Sequence, residues 1–253
     1  MTGRLDDRVA IVTGAAGHLG TFHCTHLARE GATVVVTDIV DGAKTVERVK
    51  EAGGKAVFHE LDVTKMEDAE RVAQMALKEF GHIDILVNNA ALLGVSKPWT
   101  EFTLEEWDRQ MTIDLRGMFV CARAVFPAMK EQRYGKIINI SSGTILLGTP
   151  NLMPYVTAKA GVIGFTRALA NEVGGYEINV NAIISGLFPS PNEKLPPEVI
   201  EEWIRQTMTQ QYLKRRPDPN DLSRVIVFLA SDDSRWITGQ AIAVDGSQVR
   251  TGA

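Results

Sequence analysis

"VAIVTGAAGHLG", residues 9–20, is the stretch on which the fold turns: the strand-like run VAIVT, then glycines at 14, 17 and 20, then a segment of helical period through Leu27. A strand that passes through a glycine-rich turn straight into a helix opens a βαβ unit. Glycine takes backbone angles closed to other residues and lets the main chain approach a ligand, while a helix N-terminus offers unpaired N–H groups and a partial positive charge. The turn therefore suits a pyrophosphate. Taken alone, it equally suits tight packing of helix on strand.

Outward from this turn, short runs rich in Val and Ile alternate with longer segments of helical period. The strand candidates are VAIVT (9–13), TVVVTD (33–38), KAVFHELDV (55–63), DILVNNA (84–90), GKIINIS (135–141), INVNAII (178–184) and AIAVDG (241–246). Nearly continuous apolar strands suit a parallel sheet buried on both faces, and the segments between them are long enough for crossover helices. The pattern predicts a single α/β domain over residues 1–253, a doubly wound sheet of about seven parallel strands with helices on both faces. In such sheets ligands sit outside the carboxyl ends of the strands. No repeat, low-complexity tract or linker divides the chain, and "FPSPNEKLPPE" (188–198) reads as a loop.

The hydrophobic content of 45% is enough for a sizeable core, and the net charge of -4, with Lys and Arg dispersed, leaves no basic patch for nucleic acid. Lys214-Arg215-Arg216 reads as a solvated surface run. Cys24 and Cys121 lie in helix-like apolar stretches and read as buried free thiols, which suits a reducing compartment. "MTGRLDDRVA" carries charge where a signal peptide needs an apolar region, and no window matches a membrane span. The expectation is a soluble cytoplasmic protein with no membrane or nucleic-acid partner.

The second strand candidate ends in Asp38, 18 residues after Gly20. A carboxylate there can accept hydrogen bonds from both adenosine ribose hydroxyls and repel a 2′-phosphate, and no Arg or Lys lies in residues 33–40 or in the turn to receive one. These residues favour NAD over NADP; an Asp capping the next helix is the other reading. His18, at the head of the helix, suits a phosphate or ribose contact as well as it suits a half-exposed helix position. Further on, "INISSGTILLGTPNLMPYVTAKAG" carries two serines at a strand end, then Tyr155 and Lys159 one helical turn apart. A cation beside a phenol stabilises the phenolate and brings it toward use as an acid or base near neutral pH, and Ser142 could hold a substrate oxygen. A core Tyr beside a snorkelling Lys has the same spacing.

Together these motifs resemble the short-chain dehydrogenase/reductase family, in its short single-domain branch, over nearly the whole chain. The resemblance rests on "TGAAGHLG", "LDV" with Asp62, "NNAA" (88–91), "YVTAK", "NAIISG" and "ITGQAIAVDG". It implies a Rossmann-like fold and hydride transfer between a nicotinamide and a carbonyl or alcohol carbon. Tyr155 would be the acid/base, Lys159 would lower its pKa and bind the ribose, and Ser142 would fix the substrate oxygen. The implied cofactor contacts are Gly14, Gly17, His18, Leu19, Gly20, Asp38, Ile39, Asp62, Val63, Asn89, Ala90, Tyr155, Lys159, Gly186, Phe188 and Ser190. The resemblance also implies a homotetramer and a small-molecule substrate; with both cysteines read as buried thiols, no metal site is expected.

The chain departs from the family pattern at several positions. His18 occupies the middle glycine of TGxxxGxG, and Gly17 produces TGxxGxxG, the spacing of the longer extended branch, whose additional substrate domain this chain has no room for. In "IDLRG" (113–117) Asp114 stands where the family has Asn as a fourth catalytic residue; a carboxylate there would pair with Lys159 and weaken its pull on Tyr155. Ala91, Ser185 and Ser190 replace the usual Gly, Pro and Thr. By resemblance the substrate wall comes from Leu92–Trp99, Thr144–Met153 and a lid over residues 187–212, so Leu92, Thr144, Leu152 and Leu187 are its expected lining. A mostly apolar wall favours a medium-sized secondary alcohol or ketone, and NAD preference favours oxidation. Lys194, Trp203 and Arg205 on the lid leave an anionic substrate open. The alternatives are a polyol or sugar dehydrogenase and a non-catalytic NAD-binding sensor or scaffold.

Overall fold

The strands β1 (Val9–Thr13), β2 (Thr33–Asp38), β3 (Lys55–Glu60), β4 (Ile85–Asn88), β5 (Gly135–Ser142), β6 (Ile178–Ser185) and β7 (Ala241–Val244) pair in parallel in the order β3-β2-β1-β4-β5-β6-β7. This is a computed structural model, and it describes residues 3–190 and 196–249. Lys194, expected on the lid, lies outside the described residues. The strand order reverses between β1 and β4, so the carboxyl ends of these two strands diverge and leave a crevice there.

The helices are α1 (His18–Arg29), α2 (Ala43–Glu51), α3 (Met66–Phe80), α4 (Leu104–Met111), α5 (Gly117–Gln132), the short α6 (Thr144–Leu147), α7 (Met153–Val173), α8 (Pro197–Gln210) and α9 (Pro219–Ala230). Strand alternation sorts them into two layers. Ala10, Val12, Val34 and Val36 face α1, α2 and α9, whereas Val9, Ile11 and Val35 face α3, α5 and α7. Each Val or Ile fully buried in this way contributes roughly 1.5–3 kcal/mol, set against the entropy of ordering it.

Three strands stop short of their runs, β7 at Val244 and two others for a local reason. The run 55–63 ends its pairing at Glu60, because Asp62 turns its Oδ1 onto Thr64 N–H (3.0 Å) and Thr64 Oγ1 (2.7 Å). The run 84–90 pairs only through Asn88, because the N–H groups of Asn89 and Ala90 both donate to Thr13 Oγ1 at 3.0 Å. Both departures fall at the carboxyl edge of the sheet.

Cys24 and Cys121 are free and buried in the cores on opposite faces of the sheet, which keeps them from pairing. The basic run is exposed and paired within the chain: Lys214 Nζ donates to Thr209 O at 2.7 Å, Arg215 pairs with Asp221, and Arg216 grips Glu201 of α8 with both Nη atoms (2.7 and 2.8 Å). It staples α8 rather than offering free cations. Among the described residues no helix is long and apolar enough to cross a membrane, and no His/Cys/Asp/Glu cluster could hold a metal.

Candidate active site

The three glycines of the first turn do three different things. Gly14 has φ +62° and lies so close to β4 that a Cβ would sit 2.7 Å from Ala90 Cα. Gly20 lets α1 seat on the turn, since a Cβ there would be 2.5 Å from Gly14 O. Gly17 precedes α1 and brings no side-chain oxygen to cap its first turn, an arrangement that suits an anion at a helix N-terminus. His18 and Leu19 begin the helix itself, and the His18 ring packs edge-on against Phe22, with centroids 5.2 Å apart. Asn89 braces the turn from β4, donating through Nδ2 to Thr13 O (2.9 Å) and Gly14 O (3.0 Å).

Asp38 bends toward this turn. Its Oδ2 accepts from Ala16 N–H at 3.0 Å and its Oδ1 from Val40 N–H at 3.3 Å. It does not cap α2, whose first N–H, from Ala43, goes to Asp41 Oδ1. Ile39 beside it is 65% exposed, an apolar side chain left uncovered at the strand end. At Asp62, partial burial opposes ionisation, but the Thr64 hydroxyl and N–H, with Lys65 Nζ 3.5 Å away, hold the carboxyl below its ordinary value. The Val63 side chain is buried against Gly117 of α5. The turn a side chain would fill, the uncapped helix and the adjacent carboxylate fit the phosphates and ribose of a dinucleotide.

On the other side of the crevice, α7 is bolted to β5 by groups that no motif announced. Asn139 accepts from Asn88 Nδ2 (2.8 Å) and donates to Thr166 Oγ1 (3.0 Å), and Ser141 Oγ donates to Lys159 O (2.8 Å). Their signal in the sequence is polar residues at a two-residue spacing inside a fully buried strand. Pro154 opens α7, and Tyr155 and Lys159 follow on one face. Lys159 is 2% exposed; its Nζ donates to Ile140 O at 3.1 Å and lies 5.6 Å from the Tyr155 ring centroid. Tyr155 is half-buried.

Ser142 ends β5, and its Oγ accepts from both Thr144 Oγ1 (3.0 Å) and Thr144 N–H (3.3 Å), so its own hydrogen is left to donate elsewhere. Thr144, expected to line the substrate, thus also orients Ser142. Asp114 sits in a π-helical turn, Thr112–Arg116, between α4 and α5. Gly161 of α7 admits the Leu115 side chain, which a Cβ would meet at 2.8 Å, and this close approach brings Asp114 Oδ2 to 3.4 Å from Lys159 Nζ.

The expected substrate wall is assembled unevenly. Leu92 ties its loop to the π-helical turn through its main chain, donating to Asp114 Oδ1 (2.8 Å) and accepting from Gln110 Nε2 (2.9 Å). Leu152 is half-buried ahead of α7. Beyond β6, Gly186 passes Asp245, where a Cβ would lie 2.9 Å from its Cα, and Phe188 packs back onto the core with α9. Leu187 and Phe188 line a cavity of about 370 Å³ with Gln211, Leu213 and Val225. Ser190 is half-buried at the end of this segment.

Comparison with known proteins places this arrangement. A family model described as enoyl-(acyl carrier protein) reductase matches residues 14–247. The chain is 38% identical over 253 residues to the 3-oxoacyl-acyl-carrier-protein reductase FabG of Thermotoga maritima, covering 97% of this chain and 99% of that protein. It is 36% identical over 248 residues to cyclopentanol dehydrogenase of a Comamonas species, covering 96% and 98%. Among solved structures, levodione reductase superposes with a TM-score of 0.89 at 30% identity, over 96% of this chain and 98% of that one.

Proposed function

Because the chain belongs to the short-chain dehydrogenase/reductase family, whose members use a nicotinamide cofactor, we propose that it is an NAD-dependent dehydrogenase oxidising a medium-sized, largely apolar secondary alcohol to its ketone. The observation that carries the reading is the buried Lys159, held by Ile140 O with its Nζ 5.6 Å from the Tyr155 ring. With this cation one turn away on the same helix face, Tyr155 Oη takes the proton from the substrate hydroxyl. Ser142, oriented by Thr144, donates its hydrogen to the substrate oxygen and holds it beside Tyr155. A bound nicotinamide supplies the acceptor for the hydride leaving the alcohol carbon. Gly14, Gly17 and Gly20 would hold its pyrophosphate and Asp38 its adenosine ribose; Ile39, Asp62, Val63, Asn89 and Ala90 flank the adenosine and ribose portions.

The choice of NAD is supported by Asp38, whose carboxylate is already turned onto Ala16 N–H, where a 2′-phosphate would meet a like charge. The choice of an apolar alcohol is supported by the exposed Leu93 and Leu146 on two of the wall segments, and by the named substrate of the cyclopentanol relative. The homotetramer expected by resemblance belongs to the same reading and is checked by light scattering. The purified protein is expected to form NADH from NAD with secondary aryl or alicyclic alcohols, weakly with NADP, and not at all after Tyr155→Phe. Turnover of polyols alone would replace the substrate class. Tight NAD binding with no turnover of any alcohol, or of any ketone in reverse, would leave a binding module.

A further inference from the structure

We propose that the alcohol carries an open, uncharged apolar chain, which runs from the reacting carbon past Tyr155 and Ser142 onto an apolar rim built by the loop after β4 and by α6. This deepens the reading of the site as an alcohol dehydrogenase and rests on it. The loop reaches the site because residue 94 is glycine: a Cβ there would stand 3.7 Å from Tyr155 Cβ and 2.9 Å from Gln110 Oε1. Leu93 and Val95 flank that approach, and they are 75% and 63% exposed. On the other side, Thr144 starts α6 while its hydroxyl holds Ser142 Oγ (3.0 Å), so Leu146 and Leu147 follow closely on the substrate-orienting serine, each 47% exposed. Lys97 N–H donates to Asn151 O at 3.0 Å and ties the two segments together.

Large apolar side chains left in water beside reacting groups carry a free-energy cost that a ligand recovers by covering them, and apolar patches of this kind mark ligand surfaces. Residues 92–96 and 142–153 hold no charged side chain, and Lys97 at the edge is engaged by both oxygens of Glu106 (2.6 and 2.7 Å). The rim therefore offers nothing to an anionic or strongly polar tail. A compact alcohol held between Ser142 and Tyr155 ends at the reacting groups. A chain continuing from it covers Val95, beyond Gly94, and Leu147, at the far end of α6. Each methylene so covered raises kcat/KM about two- to fourfold, the range from half to full burial of the group.

The test is kcat/KM of the whole protein with NAD for straight-chain secondary alcohols, each one methylene longer than the last, in wild type and in the double variant Leu93→Ser, Leu147→Ser. Both substitutions fall on exposed side chains and leave the core intact. Wild-type kcat/KM should climb about two- to fourfold per methylene, and the variant should lose about half or more of that slope on a logarithmic scale. The quantity read is the ratio of long to short alcohol within each protein, so a general change in activity cancels. A flat or falling wild-type series, or a slope that the variant leaves intact, would overturn the proposal. A flat series joined to a smaller oligomer in the variant would give the rim to a second copy of the chain instead. Turnover of alicyclic alcohols with no gain from a chain would remove the chain and leave the dehydrogenase. Should no alcohol be oxidised, the proposed function falls, and dissociation constants of the same series, read from the Leu93 and Leu147 methyl resonances, judge the rim by the same slope.

Discussion

Replacing His23 with Gln isolates a buried imidazole whose stability contribution can be worked out from the structure. His23 is 0% exposed, with Nδ1 2.9 Å from Ser223 Oγ on α9 and Nε2 without a partner. Ser223 Oγ donates to Pro219 O at 3.1 Å, so Nδ1–H donates to Ser223 and Nε2 keeps a bare lone pair. Burial first, and the neighbouring His26 second, lower its pKa from 6.5 to about 3. The unfolded chain therefore binds more protons than the folded one below the unfolded value. Stability is full above about pH 6.5 and is lost as the pH falls toward 3, at about 1.4 kcal/mol per unit. Between about pH 6.5 and pH 5 the loss is about 2 kcal/mol. Gln still offers Ser223 a hydrogen-bonding group and does not titrate, so His23→Gln lacks this slope. Urea unfolding at fixed protein concentration reads the difference. The gap between wild type and variant should close by about 2 kcal/mol, in the variant's favour, across that pH interval. Parallel stability curves, or a His23 ring resonance titrating near its ordinary value, would refute the reasoning.

Two further outcomes follow from the cofactor side of the crevice. Gly14→Ala must place an L side chain at φ +62° and 2.7 Å from Ala90 Cα, so it should lose about 2–5 kcal/mol of stability, seen as a thermal midpoint lower by about 5–15 °C, together with weaker NAD binding by titration. An unchanged midpoint would mean that the turn is looser than its geometry. Asp38→Ser removes the carboxylate beside Ala16 N–H, and the ratio of kcat/KM for NADP over NAD should rise about tenfold or more, the effect of relieving a like-charge contact of a few kcal/mol. A ratio that stays put would separate Asp38 from cofactor choice.

The seven apolar runs were legible because a strand buried on both faces has no polar side to write, and each run lies where a strand lies. Their ends were less legible. Thr13 Oγ1 captures the Asn89 and Ala90 N–H groups from 76 and 77 residues away, and Asp62 competes with the sheet for its own neighbours. Tyr155 and Lys159 could be read as a pair from their helical spacing. What seats them could not: Asn139, Ser141 and Thr166 look like ordinary polar residues until β5 and α7 are packed together.

By itself, the sequence determined the alternation of strand and helix, the glycine turn after β1, the acid after β2 and the single face shared by Tyr155 and Lys159. Periodicity and backbone permissiveness are local properties, and they are written in consecutive residues. Tertiary structure alone decided that Asp38 turns to Ala16 rather than capping α2, that Thr144 orients Ser142, and that the turn carrying Asp114, whose pairing with Lys159 the family resemblance already implied, is π-helical and is admitted by Gly161. Each of these depends on burial and on the partner that happens to lie opposite. A charge buried in a crevice takes its behaviour from neighbours that are distant along the chain, and only folding chooses them.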